Sequence, residues 1–360
     1  MPRIAVDAMG SDAAPRVELE GVLAAVRARG VQVTLVGDEP RLRAGLAALG
    51  ADDNVLKKDA IVIRHAPEVI TMHDAPSMAV KQKKQSSMRV CFDLVKAGEA
   101  DAVVSAGNSG AMMACGLFVL GRLPGVERPA IVTTFPTKAG ECALLDMGAN
   151  IDPKPSVLAQ FAVLGSVYAR LLHGKSRPKV GLLSNGSEDH KGTPLTRDAH
   201  QLLSRPDPAG DADFKYVGYV EGRDIFRGEV DVVVTDGFTG NVVLKSVEGA
   251  AEVILDMVRE EVARSGLLSK LGAAMMTGAL KRLRKRTDYA EHGGAPLLGV
   301  DGVALICHGG SNARAIKNAV LVAHRFAQIG LGKELTSAIG RHGHLWEPVL
   351  GAATAAEGVS

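Results

Sequence analysis

The sequence has few aromatic residues and almost no net charge. Aromatic residues make up 4% of the 360 residues, too few for a surface on which bases of nucleic acid stack, so nucleic acid is not an expected partner. The formal net charge of +2 gives no global field for attracting a charged partner. Charge arguments must therefore be local.

Cysteines and long apolar runs are also scarce. The four cysteines, Cys91, Cys115, Cys142 and Cys307, include no Cys-x-x-Cys pair. This spacing favours free thiols over a disulfide framework or a zinc site and predicts an intracellular protein. The N-terminus enters a predicted strand directly, and no uncharged run approaches the roughly 18 residues that a membrane span needs. We expect a cytoplasmic chain that is soluble or attached to a membrane surface.

Strand and helix patterns alternate along the chain. Apolar β-branched runs at 3–6, 31–36 and 61–65 alternate with helical patterns at 15–29 and 40–49. Such alternation predicts an α/β fold, a mixed and largely parallel sheet flanked by helices. An antiparallel hairpin is predicted at 131–135 and 143–145. We expect one large domain at 1–345, as one body or as two lobes around a cleft, with a protruding helical segment at 247–290 and a disordered tail at 346–360.

Five strands are followed by a loop of Gly, Asn, Ser and Asp residues and then by a helix. These loops are 7–12, 105–110, 184–192, 236–241 and 308–313. A loop of this kind presents backbone N–H groups at a helix N-terminus, where the peptide dipoles favour an anion. Because loops that follow parallel strands lie at one edge of the sheet, we expect them to form a single anion-accepting cleft.

An apolar run at 271–280 is followed by a basic cluster. The cluster consists of Lys281, Arg282, Arg284, Lys285 and Arg286. The run is too short to span a bilayer, but an apolar segment beside basic residues is typical of a helix that lies on anionic lipid. The same features suit docking of an acidic protein or packing between subunits. A second basic run at 81–89 is interpreted as a solvated face, with a binding patch as the alternative.

Motifs for cofactors and metals are missing. No Gly-x-Gly-x-x-Gly follows a strand, no Gly-x-Ser-x-Gly elbow occurs, and no His-x-x-x-His pair has a Glu companion. The sequence therefore indicates neither a nicotinamide enzyme, nor a serine hydrolase, nor a zinc enzyme. No cofactor and no metal are expected.

Seven motifs in one order carry a resemblance to a known family. They are Asp7-Ala-Met-Gly10, Ser105-Ala-Gly-Asn-Ser-Gly-Ala111, Leu145-Asp-Met-Gly-Ala-Asn150, Tyr219-Val-Glu-Gly-Arg-Asp224, Thr235-Asp-Gly-Phe-Thr-Gly-Asn241, Gly293-Gly-Ala-Pro-Leu-Leu-Gly299 and His308-Gly-Gly-Ser-Asn-Ala313. Together they closely resemble the motif series of bacterial phosphate acyltransferases, the PlsX family, from Ile4 to about Ile329. The sequence departs from that series at Ser109, where a threonine is expected, and at 184–187.

The resemblance implies an enzyme of phospholipid synthesis. It implies conversion of acyl-(acyl carrier protein) and inorganic phosphate to acyl phosphate and free carrier protein. It further implies a fold like that of phosphotransacetylases and isocitrate dehydrogenases, a homodimer, and peripheral association with the anionic inner face of the membrane through 267–286. A glycerol-3-phosphate acyltransferase is a further expected partner.

The chemistry of such a reaction suggests roles for individual residues. We expect Lys191 to neutralise phosphate or polarise the thioester carbonyl and Asn241 to orient the substrate, while His308 either protonates the departing sulfur or is structural. Residues predicted to bind phosphate and the rest of the substrate are Asp7, Gly10, Asn108, Ser109, Asp146, Asn150, Asn185, Gly237, Thr239, Gly240, Ser311 and Asn312. Among the acidic residues, Asp7, Asp146 and Asp236 are expected to shape loops more than to contact the anion.

Other functions are compatible with the same residues. A covalent route through Cys115 or Cys307 lacks a local base. A short-chain phosphotransacetylase using coenzyme A, a metal-dependent hydroxyacid oxidation and a non-enzymatic membrane scaffold are the alternatives to acyl transfer from carrier protein.

Overall fold

The strands form one continuous sheet. The computed structural model describes residues 1–51, 60–188, 190–207, 213–278 and 293–346. The strands are β1 Arg3–Asp7, β2 Gln32–Gly37, β3 Ile61–His65, β4 Ala102–Ser105, β5 Ala130–Thr137, β6 Gly140–Leu145, β7 Lys179–Leu183, β8 Lys215–Val220, β9 Val232–Val234, β10 Ala295–Leu298 and β11 Val303–Ile306. Their order in the sheet is β3-β2-β1-β4-β11-β10-β5-β6-β9-β7-β8.

Helices connect the strands and cover the sheet. They are α1 Arg16–Arg29, α2 Glu39–Ala48, α3 Pro76–Gln82, α4 Ser87–Lys96, α5 Ser109–Cys115, α6 Pro155–His173, α7 Pro194–Leu203, α8 Gly237–Arg264, α9 Leu267–Met275, α10 Ala313–Ile329 and α11 Leu331–Arg341. Several begin at a side chain that accepts a first-turn amide, as Asp38 does for α2 and Thr193 for α7. Three end at a glycine in the left-handed conformation, Gly30, Gly174 and Gly330, which a residue with a Cβ adopts only at a cost.

The strand directions divide the sheet into two halves. Strands β1 to β4 and β11 are parallel to one another. Strand β10 is antiparallel to both β11 and β5, and β6 is antiparallel to β5. Strands β9, β7 and β8 then follow β6 in parallel. The first half and the second half therefore run in opposite directions.

The predicted fold class is confirmed. Parallel pairs dominate, and the antiparallel hairpin predicted from the sequence is formed by β5 and β6. Strand β10 was not expected, because its four residues include Pro296 and show no alternation of polar and apolar positions. Helix α3 was also not expected, because the periodicity between 70 and 89 is weak. Helix α4 was not predicted either, although its apolar residues Met88, Cys91 and Phe92 recur at helical spacing.

Helix α6 forms the centre of one core layer. Thirteen of its residues are buried, and it packs on β6 and β9 and against α7 and α11. Among the described helices it is long and apolar enough to cross a membrane, but 72% of the relevant window is buried inside the protein. Its apolar character is therefore explained by its packing against the sheet and against neighbouring helices.

Helix α8 has a different environment. Of its 28 residues, only Gly237 and Gly240 are buried, and apolar side chains such as Ile254 and Met257 are each 60% exposed. Helix α9 follows it and carries Met275, which is 82% exposed. The predicted basic cluster at 281–286 lies outside the described residues, as does the predicted tail apart from Trp346.

Close packing of α1 against α10 requires a glycine. A Cβ at Gly21 would lie 2.7 Å from the carbonyl oxygen of Ala313 and 2.7 Å from Cβ of Ile316. Because the first of these atoms belongs to the backbone, the helices must move apart to accept a larger residue.

We expect Gly21→Ala to lower the free energy of unfolding by about 1–3 kcal/mol through overpacking. The matched control is Gly249→Ala, also within a helix, where a Cβ meets no atom within 4 Å. That change should raise the free energy of unfolding by about 0.5–1 kcal/mol because alanine favours the helix. Denaturant unfolding of both variants tests the difference, and equal effects would contradict it.

Candidate active site

The strand-ending loops form two groups, which differ in the half of the sheet from which they leave. The first loop group comprises 7–12, 105–110 and 308–313, after β1, β4 and β11. The second loop group comprises 146–150, 184–192 and 235–241, after β6, β7 and β9. Since the two halves run in opposite directions, the expectation that all these loops leave one edge of the sheet is wrong.

Hydrogen bonds join the members of the first loop group. Ser105 Oγ donates to Asp7 Oδ2 at 2.7 Å, and the Met9 amide donates to Asp7 Oδ1 at 3.2 Å. The Asp12 amide donates to the carbonyl oxygen of Gly309 at 3.0 Å. Burial raises the pKa of Asp7. The carboxylate of Asp7 is thus a loop-shaping group, as expected from the sequence.

Two predicted binding asparagines in this group are helix caps. Asn108 Oδ1 accepts from the Ala111 amide at 3.0 Å, and its Nδ2 donates to the carbonyl oxygens of Thr71, Met72 and Asp74. Asn312 Oδ1 accepts from the Ala315 amide at 3.0 Å. These contacts fix the loops and occupy both ends of the Asn108 amide group and the amide oxygen of Asn312, which a ligand was expected to use.

Three further predicted residues of the first loop group are not helix caps. Ser109 is exposed on the first turn of α5, and His308 is exposed with Nδ1 accepting from the Gly310 amide at 3.1 Å. Ser311 is buried, and its hydroxyl has no hydrogen-bond partner in the described part of the chain. A buried hydroxyl without a partner is unusual and leaves an acceptor and a donor for a bound molecule.

A buried carboxyl group lies under the loop 7–12. Glu18, on the first turn of α1, is fully buried, and its Oε1 accepts from the Ser11 amide at 3.2 Å. Burial raises the pKa of Glu18 to about 7, although the hydrogen bonds from Ser11 oppose this shift. Sequence reasoning missed this residue because a glutamate near a helix N-terminus is usually exposed.

Asp146 is the centre of the second loop group. The residue is fully buried, and its carboxylate accepts four hydrogen bonds. They come from the amides of Ile131, Ala149 and Asn150, at 3.0, 3.1 and 2.6 Å, and from Asn150 Nδ2 at 2.9 Å. Burial raises the pKa of Asp146, and these donors oppose it. Asp146 and Asn150 therefore brace the loop.

The start of α8 packs directly on this loop. The Gly237 amide donates to the carbonyl oxygen of Asn150 at 2.7 Å, and a Cβ at Gly240 would collide with the carbonyl oxygen of Asp146. Asp236 caps the helix by accepting from the amide and the hydroxyl of Thr239, at 2.8 and 2.7 Å. Asn241 is exposed on the same turn. The two glycines thus permit the close approach that brings Asn241 to the loop.

Lys191 lies on the loop that follows the neighbouring strand β7. Asn185 Oδ1 closes this loop by accepting from the Gly192 amide at 2.9 Å. Lys191 is 35% exposed, and its Nζ lies 3.9 Å from Glu188 Oε1. Because β7 and β9 are adjacent and parallel, the loops that carry Lys191 and Asn241 leave the same edge side by side.

A cavity beside the second loop group was not expected from the sequence. It has a volume of about 630 Å³ and is lined by the segment 149–154, by Val157 at the start of α6, and by Arg122, Glu127 and Arg128. Three basic residues, Arg122, Arg128 and Lys154, line it. They are separated by up to 32 positions in the chain, so no local motif reveals them.

The cysteines do not support a covalent route. All four are free and buried. Burial raises the pKa of the Cys115 and Cys307 thiols to about 12, so neither is a thiolate near neutral pH.

Comparison with known proteins identifies the family. The family description "Fatty acid synthesis protein" matches residues 2–333. The chain belongs to this family. It is 57% identical to the phosphate acyltransferase of Geobacter sulfurreducens over 92% of this chain and 93% of that protein. It is 54% identical to the phosphate acyltransferase of Geotalea uraniireducens over the same shares. The predicted family and the prediction of an acyl-transferring enzyme are thereby confirmed.

Solved structures share the fold at low sequence identity. A phosphotransacetylase from Streptococcus pyogenes superposes with a TM-score of 0.60 at 18% identity, covering 91% of this chain and 93% of that one. EutD phosphotransacetylase from Staphylococcus aureus gives 0.55 at 16% identity, covering 91% and 94%. These likenesses confirm the predicted fold type.

The buried Glu18 predicts a pH dependence of stability. Its pKa in the folded chain, about 7, exceeds the ordinary value of 4.5, so the folded chain binds more protons between these pH values. The stability contributed by the protonated carboxyl is present below pH 4.5 and is lost as the pH rises to 7. Glu18→Gln does not titrate, so we expect its stability relative to wild type to rise by about 3 kcal/mol over this range.

Denaturant unfolding at several pH values measures this difference. Glu20→Gln, on the same helix and partly exposed, is the control and should follow the wild-type profile. A Glu18→Gln profile parallel to wild type would show that Glu18 does not titrate in this range.

Proposed function

We propose that the chain transfers an acyl group from acyl carrier protein to inorganic phosphate, giving acyl phosphate and free carrier protein for phospholipid synthesis. The observation that carries this proposal is the 57% identity, over 92% of the chain, to a protein named phosphate acyltransferase. The motif series and the fold are consistent with it. No cofactor enters the proposed reaction.

The reaction needs charge stabilisation more than a strong base. A phosphate oxygen attacks the thioester carbon, an oxyanion develops on the carbonyl oxygen, and the carbon–sulfur bond breaks. The proton carried by phosphate is then available to the departing thiolate. Because phosphate is already anionic and a thiol of pKa about 8.5 is an acceptable leaving group, the main barrier is the accumulation of negative charge.

We assign Lys191 and Asn241 to the stabilisation of this negative charge. Lys191 brings an ammonium group to the edge from which Asn241 also projects, and the side chains of both reach solvent. We infer that Lys191 neutralises phosphate and the developing oxyanion, while the Asn241 amide orients one of them. Asp146 positions Asn241 through the packing of Gly237 and Gly240 and does not contact substrate.

The first loop group is proposed as the other wall of the cleft. Neighbouring strands are rotated by about 20–25°, so the four steps from β11 to β9 turn the strand direction by roughly 80–100°. Loops that would face opposite ways in a flat sheet can then border a common space. His308, Ser109 and Ser311 are the residues of this group that we assign to substrate, with His308 donating a proton to sulfur and regaining one from the attacking phosphate.

Lys191→Met tests the assignment. In an assay with palmitoyl carrier protein and phosphate, we expect formation of acyl phosphate to fall about 100-fold or more, because one preorganised charge is lost. The control is Lys138→Met, an exposed lysine in the β5–β6 turn, at the opposite end of β6 from Asp146. Its activity should stay within twofold of wild type.

The same assay, run with different acyl donors, separates the alternative functions. Acyl phosphate formed from acyl coenzyme A but not from the carrier protein would favour a phosphotransacetylase. A wild-type protein that forms no acyl phosphate from either donor would overturn the proposal. Activity of Lys191→Met equal to that of Lys138→Met would refute the assigned role of Lys191.

We also propose peripheral association with anionic membranes through 267–286. Support comes from the exposed apolar side chains of α9 and the residue after it, Leu271, Met275 and Met276, which are 61%, 82% and 57% exposed. Within this proposal the chain acts in the cytoplasm at the inner membrane face. The homodimer and the glycerol-3-phosphate acyltransferase partner stay predictions.

Sedimentation with phosphatidylglycerol vesicles tests the membrane contact. We expect the double variant Leu271→Ser/Met275→Ser to bind about tenfold or more weakly, because two apolar side chains no longer enter the lipid. Met78→Ser is the control, since Met78 is 54% exposed on α3, outside this segment. Equal binding of the double variant and the control would refute the proposed contact.

A further inference from the structure

The cavity beside the second loop group has an excess of positive charge. Arg122, Arg128 and Lys154 line it together with two carboxylates, Glu127 and Asp152, so that its formal charge is +1. Arg122 Nη1 donates to the carbonyl oxygen of Glu127 at 2.6 Å. In the described part of the chain, neither Arg128 nor Lys154 forms an ion pair with a carboxylate. Cations gathered without partners repel one another, and a bound anion removes that repulsion.

Helix α6 adds to this field. Lys154 occupies its N-cap position, where no side chain accepts a hydrogen bond from the first turn, and Pro155 begins the helix. The positive end of this 19-residue helix borders the cavity without a side-chain cap, although the Val157 amide donates to the carbonyl oxygen of Lys154 at 3.0 Å. This is a second source of attraction for an anion, and it acts at the same place as the three cations.

The size of the cavity indicates what kind of anion fits. A volume of about 630 Å³ lies in the range of pockets that hold organic ligands, and it is larger than a lone phosphate ion requires. Its lining also includes apolar groups, among them Ile151, which is 71% exposed, and the buried Val157. The combination suits a phosphate ester that carries an uncharged organic arm.

We propose that this cavity binds the phosphate ester of the acyl donor. Acyl carrier proteins present their thioester on a pantetheine arm attached through a phosphodiester, so this inference rests on the function proposed above. The position is suitable, because Asn150 lines the cavity and braces the loop beside Asn241. A Cβ at Gly148, in that loop, would lie 3.7 Å from Cβ of Asn241. The cavity therefore adjoins the place where the thioester is attacked.

Binding of 4′-phosphopantetheine to the whole chain, measured by calorimetry, tests this site without requiring turnover. We expect the double variant Arg128→Gln/Lys154→Gln to weaken binding about tenfold or more, since two charge-assisted contacts are lost. Asp152→Asn removes a carboxylate from the same lining and should strengthen binding. Arg27→Gln, an exposed arginine on α1, is the control and should leave binding unchanged. Higher salt should weaken binding to the wild type.

Two further probes identify the recognised group. Pantetheine, which lacks the phosphate, should bind wild type and double variant equally weakly. If inorganic phosphate binds as tightly as 4′-phosphopantetheine and responds equally to the variants, the site holds the acceptor phosphate, and the assignment to the donor is overturned. Unchanged binding of 4′-phosphopantetheine in the double variant and in Asp152→Asn would overturn the site itself. If 4′-phosphopantetheine binding changes in these variants as expected but the wild-type protein has no acyltransferase activity, only the proposed function is refuted.

Discussion

The buried carboxylate of Asp146 is the interaction on which the proposed catalytic edge depends. Its four donors come from β5, from its own loop and from Asn150. A buried charge of this kind is tolerated only because every lone pair has a partner. The loop is therefore held in one conformation, and its backbone forms the surface against which Gly237 and Gly240 pack. The orientation of the first turn of α8, and thus of Asn241, follows from this packing.

The reversal of strand direction in the middle of the sheet is the second constraint. Strand β10 and the hairpin of β5 and β6 join two parallel halves that point in opposite directions. A sheet of a single direction would place all ligand-binding loops along one edge. Here each half contributes its own loops, and the twist of the sheet determines how they face one another. A site between the halves can then contact a substrate from two sides.

Local patterns in the sequence predict much of this arrangement and leave part of it undetermined. The β-branched runs and the glycine-rich loops locate most strands and the starts of α5, α8 and α10, because these signals act over a few residues. The direction of β6, β7 and β9 depends on the four-residue strand β10, which has no pattern of its own. The functions of Asn108, Asn150 and Asn312 as braces and caps depend on neighbours that folding brings together. The same is true of the cavity lined by Arg122, Arg128 and Lys154.

The burial of all four thiols has a chemical consequence for a protein that handles thioesters. Acyl groups exchange readily between sulfur atoms when a thiolate is exposed. Cys91, Cys115, Cys142 and Cys307 are inaccessible, and burial raises the pKa of each thiol. An activated acyl chain that rests on this surface therefore meets no competing sulfur nucleophile of the protein itself. The protein therefore does not acylate its own cysteines, and the reactivity of the thioester is kept for transfer to phosphate.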